Sequence, residues 1–443
     1  MDEESIMDDQ NQPLLESFQR KRKLQLGILS VFIAVVLLLG GLIYLVSSPD
    51  PERTVLFISI DGFRYDYLYR GLTPNLLHLM NNGVYSELQP SFPSSTFANH
   101  YTLVTGLHPE KHGIIDNRFY DPEFNQTFDY KKPISLQEKW WLAEPIWQTV
   151  EKANKSSYVY MYPGCDVNRT VKPSTYIPFS QDVVFDTKIN DILHQLSKNR
   201  PKFMALYTPE VDQSGHKNGP DSSETNTVLS LIDNGIGKLI DGIRESSLQD
   251  FVDVVVVSDH GMMNLRPDAF IDYTKWPGII DNKKSNIKIS DQGIVWGAYV
   301  DTADALHDMY LNLKNTSFHD KTFNVYLREE TPEHLSYSDS LRIPPLIALP
   351  NAGYYIADNQ WSIRGQHGYD PMLEEMTAMF IGYGPSFESC PDNPVLPVQI
   401  GSSSSKTKKC QWDKFPNTLV HDILCTLLFD DPTKCINVNS SYK

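Results

Sequence analysis

Val55-Leu56-Phe57-Ile58-Ser59-Ile60-Asp61-Gly62 is a short, almost unbroken apolar run that ends in a carboxylate and a glycine. A run of that length, closed by a turn signal, has the pattern of a buried strand, so Asp61 emerges where strand gives way to loop. Val252 to Ser258, dominated by valine, repeats the pattern and is followed by Asp259-His260-Gly261. A third strand-like run, Phe203 to Thr208, precedes Glu210-Val211-Asp212-Gln213-Ser214-Gly215-His216. Strand-like runs alternate along the chain with helical ones. The clearest helix spans Glu224 to Arg244, where Val228, Leu229, Ile232, Ile236, Leu239, Ile240 and Ile243 trace one apolar face. This alternation predicts an α/β fold, and in open α/β sheets ligands collect at the carboxyl ends of the strands.

The residues delivered to those ends are chemically alike. Asp61, Asp212 with His216, and Asp259 with His260 are joined later by His367, set within Gly365-Gln366-His367-Gly368. Three carboxylates gathered at one sheet edge would repel one another without cations, because neighbouring carboxylates do not all stay ionised cheaply. Mixed imidazole and carboxylate donors favour zinc over magnesium or calcium, which take oxygen shells. The inventory suffices for two zinc ions.

A metal pair needs a reaction, and Pro93-Ser94-Ser95-Thr96-Phe97-Ala98-Asn99-His100 offers a nucleophile. Phe97 to Val104 reads as a helix ended by Gly106, which puts Thr96 at a helix N-terminus, where free N–H groups and the dipole favour an anion. Ser94 and Ser95 compete for the role, since a hydroxyl before a helix also serves as a cap. Spacing alone does not choose among the three.

Taken together, Phe57 to Arg64, Pro93 to Phe97, Thr105-Gly106-Leu107-His108-Pro109 with His112-Gly113-Ile114, Asp212-x-x-x-His216-x-x-Gly219-Pro220, Ser258 to Met262 and Gly365-x-His367-Gly368 resemble the nucleotide pyrophosphatase/phosphodiesterase family of the alkaline phosphatase superfamily. The likeness runs in order from about Thr54 to the C-terminus. It implies an alkaline-phosphatase-like central sheet flanked by helices, and Thr96 as the nucleophile bridging toward two zinc ions. Asp212, His216 and His367 would hold one ion, and Asp61, Asp259 and His260 the other. Asn117 matches an asparagine that donates to a phosphate oxygen. Phe97 and Tyr176 match rings that sandwich a nucleobase, while Tyr162 to Val167 resembles the wall of that pocket, with Tyr162 where many members carry tryptophan. The implied activity is hydrolysis of nucleotide pyrophosphate and phosphodiester bonds through a phosphothreonine, releasing nucleoside 5′-monophosphates. Nucleoside triphosphates and dinucleotides are the implied substrates. A phospholipid or choline-phosphodiester hydrolase of the same family, and a catalytically inactive surface binding protein, are the alternatives.

The flanking sequence bears on location. Residues 24–46 are almost wholly apolar and long enough to cross a bilayer, and Arg20, Lys21, Arg22 and Lys23 precede them directly. The expected organisation is a cytoplasmic tail (1–23), a single transmembrane signal anchor (24–46), a linker (47–53) and a catalytic domain (54–443). This is a single-pass type II topology with the catalytic domain extracellular or lumenal, at the plasma membrane or in an endomembrane or vacuole. Acceptor sequons at Asn125, Asn154, Asn168, Asn315 and Asn439 all follow the apolar segment. Cys390 with Cys410 and Cys425 with Cys435 suggest two local disulfides, leaving Cys165 as a free thiol.

Of the formal net charge of −16, the first 23 residues carry six acidic and four basic side chains, leaving −14 for the remainder. No basic stripe for a nucleic-acid duplex is present, and no protein partner is inferable. The stretch from Lys275 to Leu349, rich in Asp, Asn and Pro, reads as an irregular inserted lobe over the sheet.

Overall fold

A computed structural model describes residues 20–27, 30–31, 33–36, 52–277, 279, 287–291, 293–387, 410–429 and 435. The chain divides into two compact units, Met1–Glu52 and Arg53–Lys443. In the first unit the described residues between 20 and 36 are helical and exposed. Much of the apolar segment 24–46 lies outside the described residues, and among those described no helix is long and apolar enough to cross a membrane.

The second unit is built on a nine-stranded mixed sheet. Its strands are β1 (Thr54–Ile60), β2 (Val84–Gln89), β3 (Ser157–Tyr160), β4 (Thr175–Ile177), β5 (Phe203–Thr208), β6 (Val252–Val257), β7 (Ala378–Tyr383), β8 (Cys410–Gln411) and β9 (Phe415–Pro416). In space they run β8-β2-β7-β6-β1-β5-β3-β4, with β9 also pairing with β2. β1 pairs in parallel with β5 and β6, and only β7, antiparallel to both β6 and β2, runs against the rest. Every residue of β1, β5 and β6 is buried. That is why their sequences are near-continuous apolar runs without alternation, as expected of strands covered on both faces. Because the three central strands are parallel and adjacent, their carboxyl ends lie side by side, and the residues after each meet at one edge.

Helices cover the sheet. Those that matter to the site are α1 (Thr96–Thr105), α2 (Phe185–Lys198), α3 (Glu210–Asn218), α4 (Ser223–Glu245), α5 (Ala303–Asp320) and α6 (Val420–Leu428). The helix expected at 224–244 is α4, one residue longer at each end. Ser222 caps it by accepting the Thr225 N–H, and Leu229, Ile232, Ile236, Leu239, Ile240 and Ile243 are buried as the stripe requires. α1 ends where expected: Gly106 has φ 73°, the left-handed conformation glycine adopts freely, and its N–H bonds Thr102 O. α6 packs against α1 and carries Cys425, disulfide-bonded to Cys435. Cys410 is also disulfide-bonded, while Cys390 lies outside the described residues. Cys165 is free and buried.

The lobe departs from its expected irregularity. Lys288–Asp291, Trp296–Tyr299, Leu346–Pro350 and Phe323–Leu327 form, in that spatial order, a second antiparallel sheet. With α5 it encloses its own core of Trp296, Met309, Leu313, Phe323, Val325, Leu346 and Ala348. Its strands have only four or five residues each. The first two form a hairpin, and both Trp296–Tyr299 and Phe323–Leu327 are joined through Leu346–Pro350 from further along the chain rather than announced by local alternation.

Candidate active site

The carboxyl ends of β1, β5 and β6 supply the donors anticipated above. Asp61 follows β1, Asp212 and His216 lie on α3 just beyond β5, and Asp259 and His260 follow β6. His367 follows the two-residue strand Gly365–Gln366, which pairs with Met263–Asn264 and so returns the chain to the β6 loop. The β1 and β5 ends come into direct contact: the Asp212 N–H donates to Asp61 O at 3.1 Å. Gly62, at φ 66°, makes this approach possible, because a Cβ there would lie 2.9 Å from the Asp212 Cα.

The donors form two sets. In one, His216 Nε2 and His367 Nε2 lie 3.4 and 3.5 Å from Asp212 Oδ1 and 3.1 Å from each other. In the other, His260 Nε2 lies 3.0 Å from Asp259 Oδ2 and 3.5 Å from Asp61 Oδ1. Each imidazole has its second nitrogen committed to a carbonyl that can only accept. His216 Nδ1 donates to Gly365 O at 2.9 Å, His367 Nδ1 to Ser94 O at 2.8 Å and His260 Nδ1 to Gly261 O at 2.8 Å. Those bonds fix the tautomer and turn each Nε2 lone pair inward, the arrangement that metal-binding histidines use.

The carboxylates show the same unfinished pairing. Asp61 Oδ1, Asp212 Oδ1 and Asp259 Oδ2 are buried without a hydrogen bond, a costly state for an anion unless a cation completes it. Zinc bonds of about 2.0 to 2.1 Å place neighbouring tetrahedral donors about 3.3 Å apart, close to the spacings in both sets. The sets Asp212-His216-His367 and Asp61-Asp259-His260 are thus suited to hold one metal ion each. A third group, His421 with Cys425 and Cys435, is not such a site, because its sulfurs are bonded to each other.

Electrostatics follows from this crowding. Burial, then Asp259 and Asp212, push the Asp61 carboxyl well above its ordinary range. Burial also raises Asp259, but His260 and His100 outweigh it and hold that carboxyl well below the usual value. Burial lowers the basicity of His367, and His260 and His216 lower it further. His260, its ring stacked 3.6 Å from that of His367, is raised because Asp259 outweighs its burial.

Thr96 is the first residue of α1, with Ser95 as its N-cap. Its Oγ1 lies 3.5 Å from His260 Nε2. Of the competing hydroxyls, Ser94 donates to Tyr369 O at 2.9 Å and is fully buried, and Ser95 is buried with its hydroxyl toward the Asp116 carboxyl. Thr96 alone of the three is half-exposed beside the donor sets. Asn117 accepts the Phe97 N–H through Oδ1 at 2.9 Å, which leaves its Nδ2 as the free donor at the head of α1. Asp116 buttresses it by accepting the Asn117 N–H at 2.7 Å, and burial pushes the Asp116 carboxyl up to about 7.

The aromatic expectations divide. Phe97 is half-exposed and its ring touches Phe128, Tyr130 and Trp141 at 6.4, 4.9 and 6.3 Å between centroids. Tyr176 is half-buried in β4 at the sheet's edge. The two rings share no direct contact among the described residues, as two rings must not if a base is to lie between them. Tyr162 is placed otherwise than as a pocket wall. Only 1% exposed, it packs on Phe57, His100 and Trp147 and donates its hydroxyl to His100 O at 2.9 Å, so it supports the site from beneath.

Four residues that belong to this site were missed in the sequence. Tyr207 donates to Asp61 Oδ2 at 2.5 Å. His100 Nδ1 faces Thr96 O at 2.8 Å and Asp259 Oδ2 at 3.2 Å, while its Nε2 lies 2.9 Å from Ser59 Oγ, tying α1 to two strand ends. Asn99 is buried with its amide fully used, donating to Pro93 O and Ser95 O and accepting from Ser91 N and Asn417 Nδ2. The fourth, Lys131, borders the cavity beside Asn117. Only His100 had a legible signal: it lies four residues after Thr96 on a helix, hence on the same face.

Comparison with known proteins agrees with this geometry. The family model for type I phosphodiesterase / nucleotide pyrophosphatase matches residues 55–370. The chain is 36% identical over 369 residues to an "Uncharacterized pyrophosphatase/phosphodiesterase" of Schizosaccharomyces pombe, covering 79% of this chain and 74% of that protein. It is 35% identical to the Xenopus laevis protein named bis(5′-adenosyl)-triphosphatase enpp4, over 81% of this chain and 78% of that one. Against mouse ectonucleotide pyrophosphatase/phosphodiesterase family member 1 the identity is 33%, over 86% of this chain but only 41% of that longer protein. Murine ectonucleotide pyrophosphatase/phosphodiesterase 5, solved in an inactive threonine-to-alanine form in complex with AMP, superposes with TM-score 0.74 at 31% identity, covering 85% of this chain and 95% of that one. With its fold, donor sets and sequence in accord, the chain belongs to the type I phosphodiesterase/nucleotide pyrophosphatase family and is an enzyme of that class.

Proposed function

We propose that this chain hydrolyses pyrophosphate and phosphodiester bonds of small nucleotides by covalent catalysis at Thr96, releasing nucleoside 5′-monophosphates. The observation that carries this reading is the position of the Thr96 hydroxyl, at a helix N-terminus and 3.5 Å from the imidazole of one donor set. Zinc is the ion whose preferences fit imidazole-carboxylate sets, and when bound in both it would supply charge for the phosphoryl oxygens and lower the pKa of the threonine hydroxyl. Thr96 Oγ1 attacks phosphorus, the bond to the leaving oxygen breaks, and the nucleotidyl group is held on Thr96 until water releases it. Asn117 Nδ2 donates to a non-bridging oxygen, and its carboxamide is already oriented by the Phe97 N–H, so no reorganisation is needed. A donor placed in this way contributes roughly 2.7 to 4 kcal/mol in comparable sites. The murine neighbour's AMP complex supports a retained nucleoside monophosphate.

The test is a substrate panel with identified products, run on the wild type and on Phe97→Ala and Tyr176→Ala. If the rings clasp the base, each variant loses about ten- to hundredfold in kcat/KM on dinucleotides and nucleoside triphosphates, in line with a stacking contribution of about 1 to 3 kcal/mol. Bis-p-nitrophenyl phosphate, which has no base, is hydrolysed nearly as before. Variants normal on nucleotides but impaired on glycerophosphocholine would instead assign the rings to a choline cage.

The same reading places the catalytic unit outside the cytosol. Residues 24–46 would act as the membrane anchor and 20–23 as the basic flank that keeps the tail inside. Asn125, Asn154, Asn168 and Asn315 are exposed, as glycan acceptors must be, whereas Asn439 lies outside the described residues. Protease added outside intact cells or lumen-side-out vesicles should spare residues 1–23, and glycosidase should lower the mass of the rest. An unglycosylated catalytic unit facing the cytosol would contradict this topology.

A further inference from the structure

The Asp212-His216-His367 half of the site opens into a cavity of about 400 Å³ that His216 and His367 border directly. Its wall also includes Asn117, Lys131, Trp361 and Gln366, but none of Phe97, Tyr162 and Tyr176. Tyr130, whose ring packs on Phe97, also lines it, so the cavity adjoins the base clasp without including its rings, and it shares Asn117 and two donors with the reacting centre. Displacement at phosphorus is in line, so the leaving oxygen departs on the side opposite the attacking one. A substrate whose nucleoside is held by Phe97 and Tyr176 must extend its leaving portion into separate space next to the donors.

The chemistry of the wall says what it would take. Among the described residues Lys131 is the only lysine or arginine on it, and the other ionisable groups are Asp116, Tyr130, His216 and His367. Lys131 directly follows Tyr130, whose ring packs on Phe97 with centroids 4.9 Å apart, and the ammonium lies 5.3 Å from the Tyr130 ring centre. The lysine is thus anchored beside the nucleophile's own neighbour, on an exposed stem whose three donors can swing to a ligand. The chain around it is strongly acidic, with −14 of formal charge beyond the first 23 residues. A leaving group that adds several negative charges needs a local cation in that field.

We propose that this cavity is the leaving-group subsite and that Lys131 is a specificity-determining residue, pairing with phosphate on the leaving side. The enzyme then favours leaving groups that are themselves phosphates, a pyrophosphate or a nucleotide, over uncharged alcohols and phenols. This rests on the nucleotide reading above. The test measures kcat/KM of the full-length protein on ATP, whose leaving group is pyrophosphate, and on the p-nitrophenyl ester of thymidine 5′-monophosphate, whose leaving group carries no phosphate. Lys131→Gln should lower the value for ATP about ten- to hundredfold, as expected for a lost charge-assisted hydrogen bond, and leave the ester within about twofold. Lys131→Arg should restore most of the ATP activity. Equal losses on both substrates, or no loss on ATP, would overturn the assignment of Lys131 while leaving the nucleotide reading intact. A wild type that hydrolyses neither substrate would overturn both.

Discussion

Thr96→Ala should abolish turnover, with kcat falling about a thousandfold or more, while the protein keeps its fold and its metal content. The fold should survive because Ser95, not Thr96, is the N-cap of α1, and the Thr96 side chain is only half-buried. Asn99 and His100 hold the head of the helix independently of the threonine hydroxyl, through Pro93 O and Ser95 O on one side and Ser59 and Asp259 on the other. Thr96→Ser preserves the hydroxyl and should retain measurable activity. The neighbouring serines provide the control. Ser94→Ala removes a hydrogen bond to Tyr369 O at a fully buried position and should cost stability before it costs chemistry. Loss of turnover in Ser94→Ala or Ser95→Ala with near-normal activity in Thr96→Ala would transfer the nucleophile to the serine concerned. Trapping of a radiolabelled nucleotidyl-enzyme at acidic pH, and its absence in Thr96→Ala, would identify the residue directly.

What could be read from the sequence, and what could not, divides along the range of the interactions. β1 with Asp61, β6 with Asp259 and His260, and the Asp212-x-x-x-His216 turn of α3 each announce themselves within a dozen residues, because burial on both faces forces a continuous apolar run and the ligand sits at its end. The register of α1 is equally local, set by the Gly106 stop. Tyr207 is different. Its role depends on a hydroxyl reaching Asp61 from a neighbouring strand, and in sequence it is merely an aromatic residue near the end of a strand. Tyr162 was misplaced for the converse reason: the resemblance of residues 162–167 to a pocket wall implied a lining ring, but the neighbouring Phe57, His100 and Trp147 close over it. The second sheet of the lobe escaped because its strands are short and Leu346–Pro350 finds its two partners across α5 and a long loop, where no local periodicity accumulates. Lys131 carried no signal at all; only the folded cavity brings it to Asn117.

Removing bound metal should both inactivate and destabilise the protein, with melting lowered by about 5 °C or more and restored by zinc at two ions per chain. The physical basis is the set of buried carboxylate oxygens, one on each of Asp61, Asp212 and Asp259, that no hydrogen bond satisfies. Without cations, Asp61 is pushed toward its neutral form by burial and by Asp259 and Asp212, and an excess proton must be carried at the centre of the sheet. With cations, the same oxygens become the favourable partners, so the folded state binds metal far better than the unfolded chain and gains stability by linkage. At a free ion concentration a hundred times the dissociation constant, one site adds about 2.7 kcal/mol. For domains of some 150 to 250 residues a change of that size moves the melting temperature by about 5 to 10 °C; this unit is larger and shifts less per site, but it has two sites. Asp212→Asn separates the halves. It weakens the only carboxylate in the set with His216 and His367 and should lower the stoichiometry from two ions toward one, with the Asp61-Asp259-His260 set still loaded. Metal analysis and melting curves, taken before and after chelation, read both effects without relying on catalysis. Full activity and an unchanged melting temperature in metal-free protein would refute the two-ion site, and a stoichiometry still at two in Asp212→Asn would show that the donors are divided in some other way.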